Sequence, residues 1–253
     1  MALIRMNMWS EQLTMQVPLT VLVPHRTPEE TAAGKRHKVL YLLHGATGDH
    51  SDWTRFTSIE RYDQKQDFVI VMPSARMSRY HDMAHGGRYF SFIADELPAV
   101  LGRMFPLSPA REDNYICGLS MGGAGALRIG LHRPDQYAAI GCLSAGLSNY
   151  GEWTQNDPNA RRAFELVMGD KDPAGEMAEM EGVVRKLASV GEPVPRVYHC
   201  CGSEDFLLAN AHYTKSVFES IPGDPFSYTY EEDPGAHTWA YWDEHIQHFL
   251  NWL

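Results

Sequence analysis

Five short apolar runs, each closed by a glycine, proline or serine, constrain the fold of this chain more than any other feature. They are KVLYLLHG (38–45), DFVIVMP (67–73), NYICGLS (114–120), YAAIGCLSAG (137–146) and PRVYHCCG (195–202). A run of this length that is apolar throughout marks a strand buried on both faces, as in a parallel sheet covered by helices. Helix-like segments lie between them, around 54–64, 92–105, 120–132, 174–190 and 206–220. Alternation of strand and helix builds a doubly wound, mostly parallel α/β sheet with right-handed crossovers. Ligands of such sheets bind beyond the C-terminal ends of the strands.

The flanks extend this plan. Alternation from Gln12 to Val23 implies an N-terminal strand or hairpin ending at Pro24, and the polar segment 25–37 reads as an exposed loop. A last strand, FSYTYEE (226–232), precedes an amphipathic C-terminal helix from about Trp239 to Leu253. Residues 147–173 do not fit the alternation and read as a lid inserted over the strand ends. At 253 residues, the chain is expected to form one α/β domain over 1–253.

Composition excludes several roles. The net charge is −10, with 22 Lys plus Arg against 32 Asp plus Glu, and no basic stripe is present. Nucleic acid is therefore not an expected partner. No stretch reaches the roughly 18 apolar residues of a membrane span. The start, MALIRMNMWSEQ, lacks the apolar core of a signal peptide, so a cytoplasmic location is expected. Cys117, Cys142, Cys200 and Cys201 read as buried reduced thiols, although Cys200 and Cys201 are adjacent and could pair as a strained vicinal disulfide. The sequence is compatible with a homo-oligomer without specifying one.

The sharpest local motif is Gly118-Leu119-Ser120-Met121-Gly122, a G-x-S-x-G between a strand and a helix. A serine on such a tight turn is held in a strained conformation, and side chains two residues to either side would collide with the turn. The helix N-terminus that follows directs backbone N–H groups and positive partial charge at the serine oxygen. Upstream, the first run ends in His44-Gly45-Ala46-Thr47-Gly48, where a strand-end loop can supply a second oxyanion donor. With one glycine after His44, that donor is expected from Ala46, paired with Met121. His44 itself reads as a structural hydrogen-bonding residue.

A nucleophilic serine in this setting needs an acid and then a histidine, in that chain order. Asp205 follows the run PRVYHCCG, and His237 lies in the turn DPGAHTW before the final helix. Asp170 and Asp172 remain alternatives for the acid. His245 and His248, at i and i+3 on the last helix, read as solvated. His81 and His85 have the spacing of helical metal ligands but fall in a Gly- and Asp-rich loop, so no metal is expected there. Trp53, Tyr89, Trp153 and Trp239 could line a substrate pocket, with Trp53 and Trp153 the preferred candidates.

Taken together, YLLHGATGDHSDW, VIVMPSAR, DELPAV, YICGLSMGGAGALRIGL, CGSEDFL and GAHTWAYW resemble the tributyrin-esterase branch of the esterase D-like α/β-hydrolases. That branch is related to feruloyl and acetylxylan esterases and to S-formylglutathione hydrolase. The resemblance spans nearly the whole chain in order. It implies an α/β-hydrolase fold and a cofactor-free serine esterase of short acyl esters, including acetyl or feruloyl esters of carbohydrates. On the matching positions it implies Ser120, Asp205 and His237 as the triad, with Ala46 and Met121 as oxyanion donors. An acyltransferase using the same residues, or an S-formylglutathione hydrolase, are the alternatives within that resemblance. Segment 147–173 matches nothing in it.

Overall fold

The computed structural model describes residues 1–63, 67–148 and 158–253. The chain opens with an antiparallel hairpin, β1 (Ala2–Ser10) and β2 (Met15–Val23), then a one-turn helix α1 (Pro28–Ala32). Next come β3 (Lys38–Leu43), α2 (Asp52–Phe56), α3 (Ile59–Asp63) and β4 (Phe68–Pro73). A longer helical stretch begins as α4 (Tyr89–Ser91), passes through a π-turn over Phe92–Glu96 and continues as α5 (Leu97–Met104). β5 (Asn114–Leu119), α6 (Met121–His132) and β6 (Ala139–Leu143) follow. The C-terminal part comprises α7 (Pro158–Met168), α8 (Pro173–Val190), β7 (Arg196–Gly202), α9 (Leu208–Glu219), β8 (Thr229–Asp233) and α10 (Trp239–Trp252).

Successive side chains of a strand point to opposite faces, so uniformly apolar strands need cover on both sides. β3 sends Val39, Tyr41 and Leu43 into one core, and Leu40 and Leu42 into another. The first core packs against α5, α6, α8 and α9 through Leu97, Leu127, Met180 and Phe218. The second packs against α2, α3 and α10 through Trp53, Ile59, Ile246 and Phe249. The sheet has eight strands in the order β1-β2-β4-β3-β5-β6-β7-β8, parallel from β4 to β8. β3 lies between β4 and β5, so the chain reverses its direction of winding there, and the crevice for ligands opens at that switch. Register pairs Leu43 with Gly118, Leu119 with Leu143, Leu143 with Cys200 and Gly202 with Asp233. The loops after β3, β5, β6, β7 and β8 therefore leave the same edge of the sheet.

Several local expectations are corrected. The polar loop 25–37 holds α1, whose start is fixed by a capping box between Thr27 and Glu30. The helix expected over 54–64 is two short ones, interrupted at Thr57, whose backbone is extended (φ −134°). The last strand starts at Thr229 rather than at 226, since Ser227 takes a left-handed conformation (φ 43°) incompatible with a ladder. His245 is not solvated: it is 2% exposed on the buried face of α10, stacked on the ring of Tyr241. All four cysteines are buried free thiols. No helix among the described residues is long and apolar enough to cross a membrane.

Asp63, at the end of α3, is fully buried. One of its carboxylate oxygens accepts the Phe68 amide at 3.0 Å, and the other has no partner among the described residues. Burial raises its pKa to about 7. The folded state thus holds a proton that the unfolded chain releases above its ordinary carboxylate value, so stability falls as pH rises through that window towards 7. The melting temperature should drop by several degrees between pH 5 and pH 8, and Asp63→Asn should remove most of that drop. Thermal scans of both proteins across this range check it; equal slopes would assign the pH dependence to another group.

Candidate active site

Ser120 sits in the tight turn between β5 and α6 with φ 51° and ψ −122°, a strained conformation for a residue with a side chain. The flanking glycines are required by contact. A Cβ on Gly118 would lie 2.4 Å from the Gly122 carbonyl oxygen, and one on Gly122 would lie 2.6 Å from the carbonyl oxygens of Leu43 and His44. The turn is pinned by the Ser120 amide, which donates to the Leu143 carbonyl at 2.8 Å. The serine oxygen is thereby raised above the strand ends at the start of a twelve-residue helix.

His237 reaches it from the loop between β8 and α10. Its Nε2 is 2.9 Å from Ser120 Oγ, and its Nδ1 is 2.8 Å from Asp205 Oδ2 and 3.0 Å from Oδ1. A carboxylate only accepts, so Nδ1 carries the proton and Nε2 offers a lone pair to the serine hydroxyl. The Asp205 side chain is fully buried. Burial pushes its pKa up, but hydrogen bonds from His237 and the Leu207 amide outweigh this and hold it below the ordinary carboxylate value. Asp205 therefore remains charged at neutral pH. Asp170 and Asp172 lie exposed between α7 and α8, away from His237's hydrogen-bond partners.

The loop after β3 forms the facing wall. His44 is buried, with Nδ1 donating to the Gly45 carbonyl (2.7 Å) and Nε2 accepting the Ala75 amide (2.9 Å), a structural role. Burial keeps its pKa low, in agreement with this neutral tautomer. Ala46 lines the cavity beside Ser120. The Met121 side chain is buried in the core, while its backbone amide stands at the first position of α6.

A cavity of about 590 Å³ adjoins Ser120 and His237. Its aromatic walls include Phe56, Phe206, Trp239 and Trp242, and Arg55 stands at its side with the guanidinium over the Phe56 ring. Phe206 is 70% exposed with its ring 4.5 Å from that of His237. The Trp242 ring lies perpendicular to the imidazole, 4.9 Å away between centroids, and donates its indole N–H to Ser144 Oγ. Ser144 also helps hold the Asp205 pKa down, so it stands between the acid and the aromatic wall. Phe206 and Trp242 were not singled out from the sequence. Their only signal there is adjacency: Phe206 follows Asp205, and Trp242 is one helical turn beyond Trp239.

The substrate role expected of Trp53 is corrected. Its side chain is 1% exposed, its indole N–H donates to the Leu43 carbonyl at 3.1 Å, and its ring supports Trp239 from behind. Tyr89 is likewise buried in the core. Trp153 lies outside the described residues. The described part of segment 147–173 includes α7, which packs Phe164, Val167 and Met168 against Met83 and contributes nothing to the cavity wall. His81 and His85 do not form a ligand pair: His81 faces Glu176, which also pairs with Arg128, and His85 receives its contact to α7 through the backbone. Burial, with Arg128 beside it, lowers the His81 pKa to about 4 and keeps the ring neutral.

A family model for esterases matches residues 10–253. The chain belongs to this esterase family. The esterase is 28% identical over 264 residues to an acetyl esterase of Caldicellulosiruptor saccharolyticus, covering 100% of this chain and 98% of that protein. Among solved structures it is similar to the fluorophosphonate-binding serine hydrolase F of Staphylococcus aureus, at 30% identity and a TM-score of 0.84, with 99% and 97% of the two chains covered. It is also similar to an S-formylglutathione hydrolase of Staphylococcus aureus, at 29% identity and a TM-score of 0.82, with 99% and 98% covered. The fold of the esterase is the α/β-hydrolase fold.

The contrast between Trp53 and Trp239 can be measured. Trp53→Phe should lower the melting temperature by several degrees, through a lost buried hydrogen bond and a smaller ring, while KM stays within about twofold. Trp239→Ala, which strips the cavity wall, should raise KM severalfold. Steady-state kinetics on one ester with parallel melting scans checks both, and an equal rise in KM for Trp53→Phe would return that indole to the pocket.

Proposed function

We infer that Ser120, His237 and Asp205 are the nucleophile, the general base and the orienting acid of this serine carboxylesterase. The observation that carries the inference is the unbroken hydrogen-bonded line from Ser120 Oγ through both nitrogens of His237 to the ionised Asp205, opening onto a cavity. Ser120 Oγ attacks the ester carbonyl as His237 Nε2 takes its proton. The carbonyl oxygen becomes an oxyanion, which the backbone N–H groups of Ala46 and Met121 receive. His237 then returns the proton to the leaving alcohol, and an acyl group remains on Ser120. Water, activated by the same histidine, hydrolyses that acyl-enzyme in a second pass. No cofactor enters these steps.

We further propose short acyl groups and carbohydrate-linked alcohols as substrates. Phe206 and Phe56 are 70% and 45% exposed on the cavity wall, and exposed aromatic rings there offer flat faces on which a sugar can stack. The acetyl esterase relative supports the acyl choice. The whole chain is read as one catalytic domain in the tributyrin-esterase branch. A cytoplasmic location agrees with four buried free thiols.

Ser120→Ala should lose on the order of a million-fold in kcat while remaining folded. Asp205→Asn should lose roughly 10⁴-fold, because an amide favours the wrong tautomer of His237. Mass spectrometry after treatment with a fluorophosphonate should show an adduct on the wild type and none on Ser120→Ala. Substantial hydrolysis by folded Ser120→Ala would remove the assignment.

The sugar reading is tested separately. Phe206→Ala should raise KM for acetylated xylo-oligosaccharides several times more than for a simple aryl acetate, with kcat little changed. Equal KM ratios on the two substrates would detach the ring from sugar binding without touching the triad.

A further inference from the structure

The edge strand β8 and helix α10 meet through a cluster of side chains that the proposed chemistry leaves unused. Glu231 lies on β8, and His245 and His248 lie one turn apart on α10. One ligand-type atom from each falls within 4.8 Å of the others. We propose that Glu231, His245 and His248 bind a divalent transition ion of the zinc class, which clasps the last strand to the last helix.

The donor set suits such an ion, since imidazole nitrogen and carboxylate oxygen are its ordinary ligands after thiolate. His248 Nδ1 is 3.0 Å from Glu231 Oε2. Two ligands held at about 2.0–2.1 Å from one tetrahedral zinc stand roughly 3.3 Å apart, so this pair needs little movement to share an ion.

His245 supplies an independent observation. It is 2% exposed, and its Nδ1 is 2.9 Å from the Tyr241 carbonyl. A carbonyl only accepts, so Nδ1 carries a proton, and in the neutral ring Nε2 is a bare lone pair. That lone pair faces Asp233 Oδ2, another acceptor, at 3.2 Å. Two acceptors at this separation are held together either by a proton on Nε2 or by a cation beside it. A metal-binding histidine commonly has its far nitrogen fixed by a backbone carbonyl in this way. Glu231 is oriented comparably: the phenol of Tyr198, itself buried, donates to its Oε2 at 2.5 Å.

The position explains what the ion would do. β8 ends at Asp233 and α10 begins at Trp239, so the loop bearing His237 runs between the two clasped elements. The ion stabilises the frame of that loop and takes no part in ester cleavage. Partial exposure of Glu231 and His248, at 35% and 41%, leaves a coordination position open to water.

The test uses the full chain, stripped with chelator, exchanged into chelator-free buffer and titrated with zinc chloride by calorimetry. The wild type should bind one ion per chain in the micromolar range or tighter, with a rise of several degrees in melting temperature. His248→Ala, at a half-exposed position that the fold should tolerate, should weaken binding by at least about tenfold and abolish the rise. Glu231→Gln should do the same. Hydrolysis measured with chelator present should be equal in wild type and His248→Ala. Absence of binding by the wild type overturns the proposal and leaves His245 hydrogen-bonded to Asp233 alone. Binding and melting shift unchanged in both variants also overturn it, by placing the ion elsewhere, His237 included.

Discussion

Helix α6 approaches the ends of β3 and β5 so closely that backbone touches backbone. A side chain at Gly118 or Gly122 would place carbon within 2.6 Å of a carbonyl oxygen. That approach forces Ser120 into its left-handed turn and aims the first amides of α6 at the space above the serine. The strain is offset by burial: every residue from Met121 to Leu131 is buried, and the helix is clamped between the sheet and α8. The rest of the site is built outward from this fixed point. β3 positions the loop with Ala46 on one side, and β6 supplies the carbonyl that pins the turn on the other.

Proton placement then follows from which atoms can only accept. Asp205 is buried yet stays ionised because each charge-stabilising contact it makes is a donor: the His237 ring, the Leu207 amide and the Ser144 hydroxyl. The rings of Phe206 and Trp242 both contact His237, which restricts its plane without competing for its nitrogens. Ser144 has a left-handed backbone of its own (φ 50°) and stands between Asp205 and Trp242.

Helix α10 serves three ends at once. Ile246 and Phe249 complete the second core, Trp239 and Trp242 shape the cavity, and His245 and His248 meet the edge strand. Its amphipathic pattern announces only the first of these. A different buried polar cluster, with Glu176 bonded to Arg128, His81 and Ser148, ties α8 to α6 and to the strand end after β6. Segment 149–157 starts directly after that anchored serine.

The parallel sheet and the serine turn were legible in the sequence because each rests on local rules. A strand apolar on both faces must be covered, and a turn too tight for side chains must carry glycine. What sequence spacing could not decide was which side chains meet after the chain returns on itself. Ser120 and His237 are 117 residues apart, yet they hydrogen-bond at 2.9 Å. Only the tertiary structure separates Asp205, which is buried against His237, from Asp170 and Asp172, which are exposed. Trp53 and Trp239 are equally aromatic and close to motif residues, but one is packed behind the other, and only the outer one faces the cavity. His245 reads as a polar helix residue and is buried, because β8 supplies Asp233 across from it. Periodicity reports which face of an element is apolar; the partner that a polar group finds is set by the packing of elements distant in sequence.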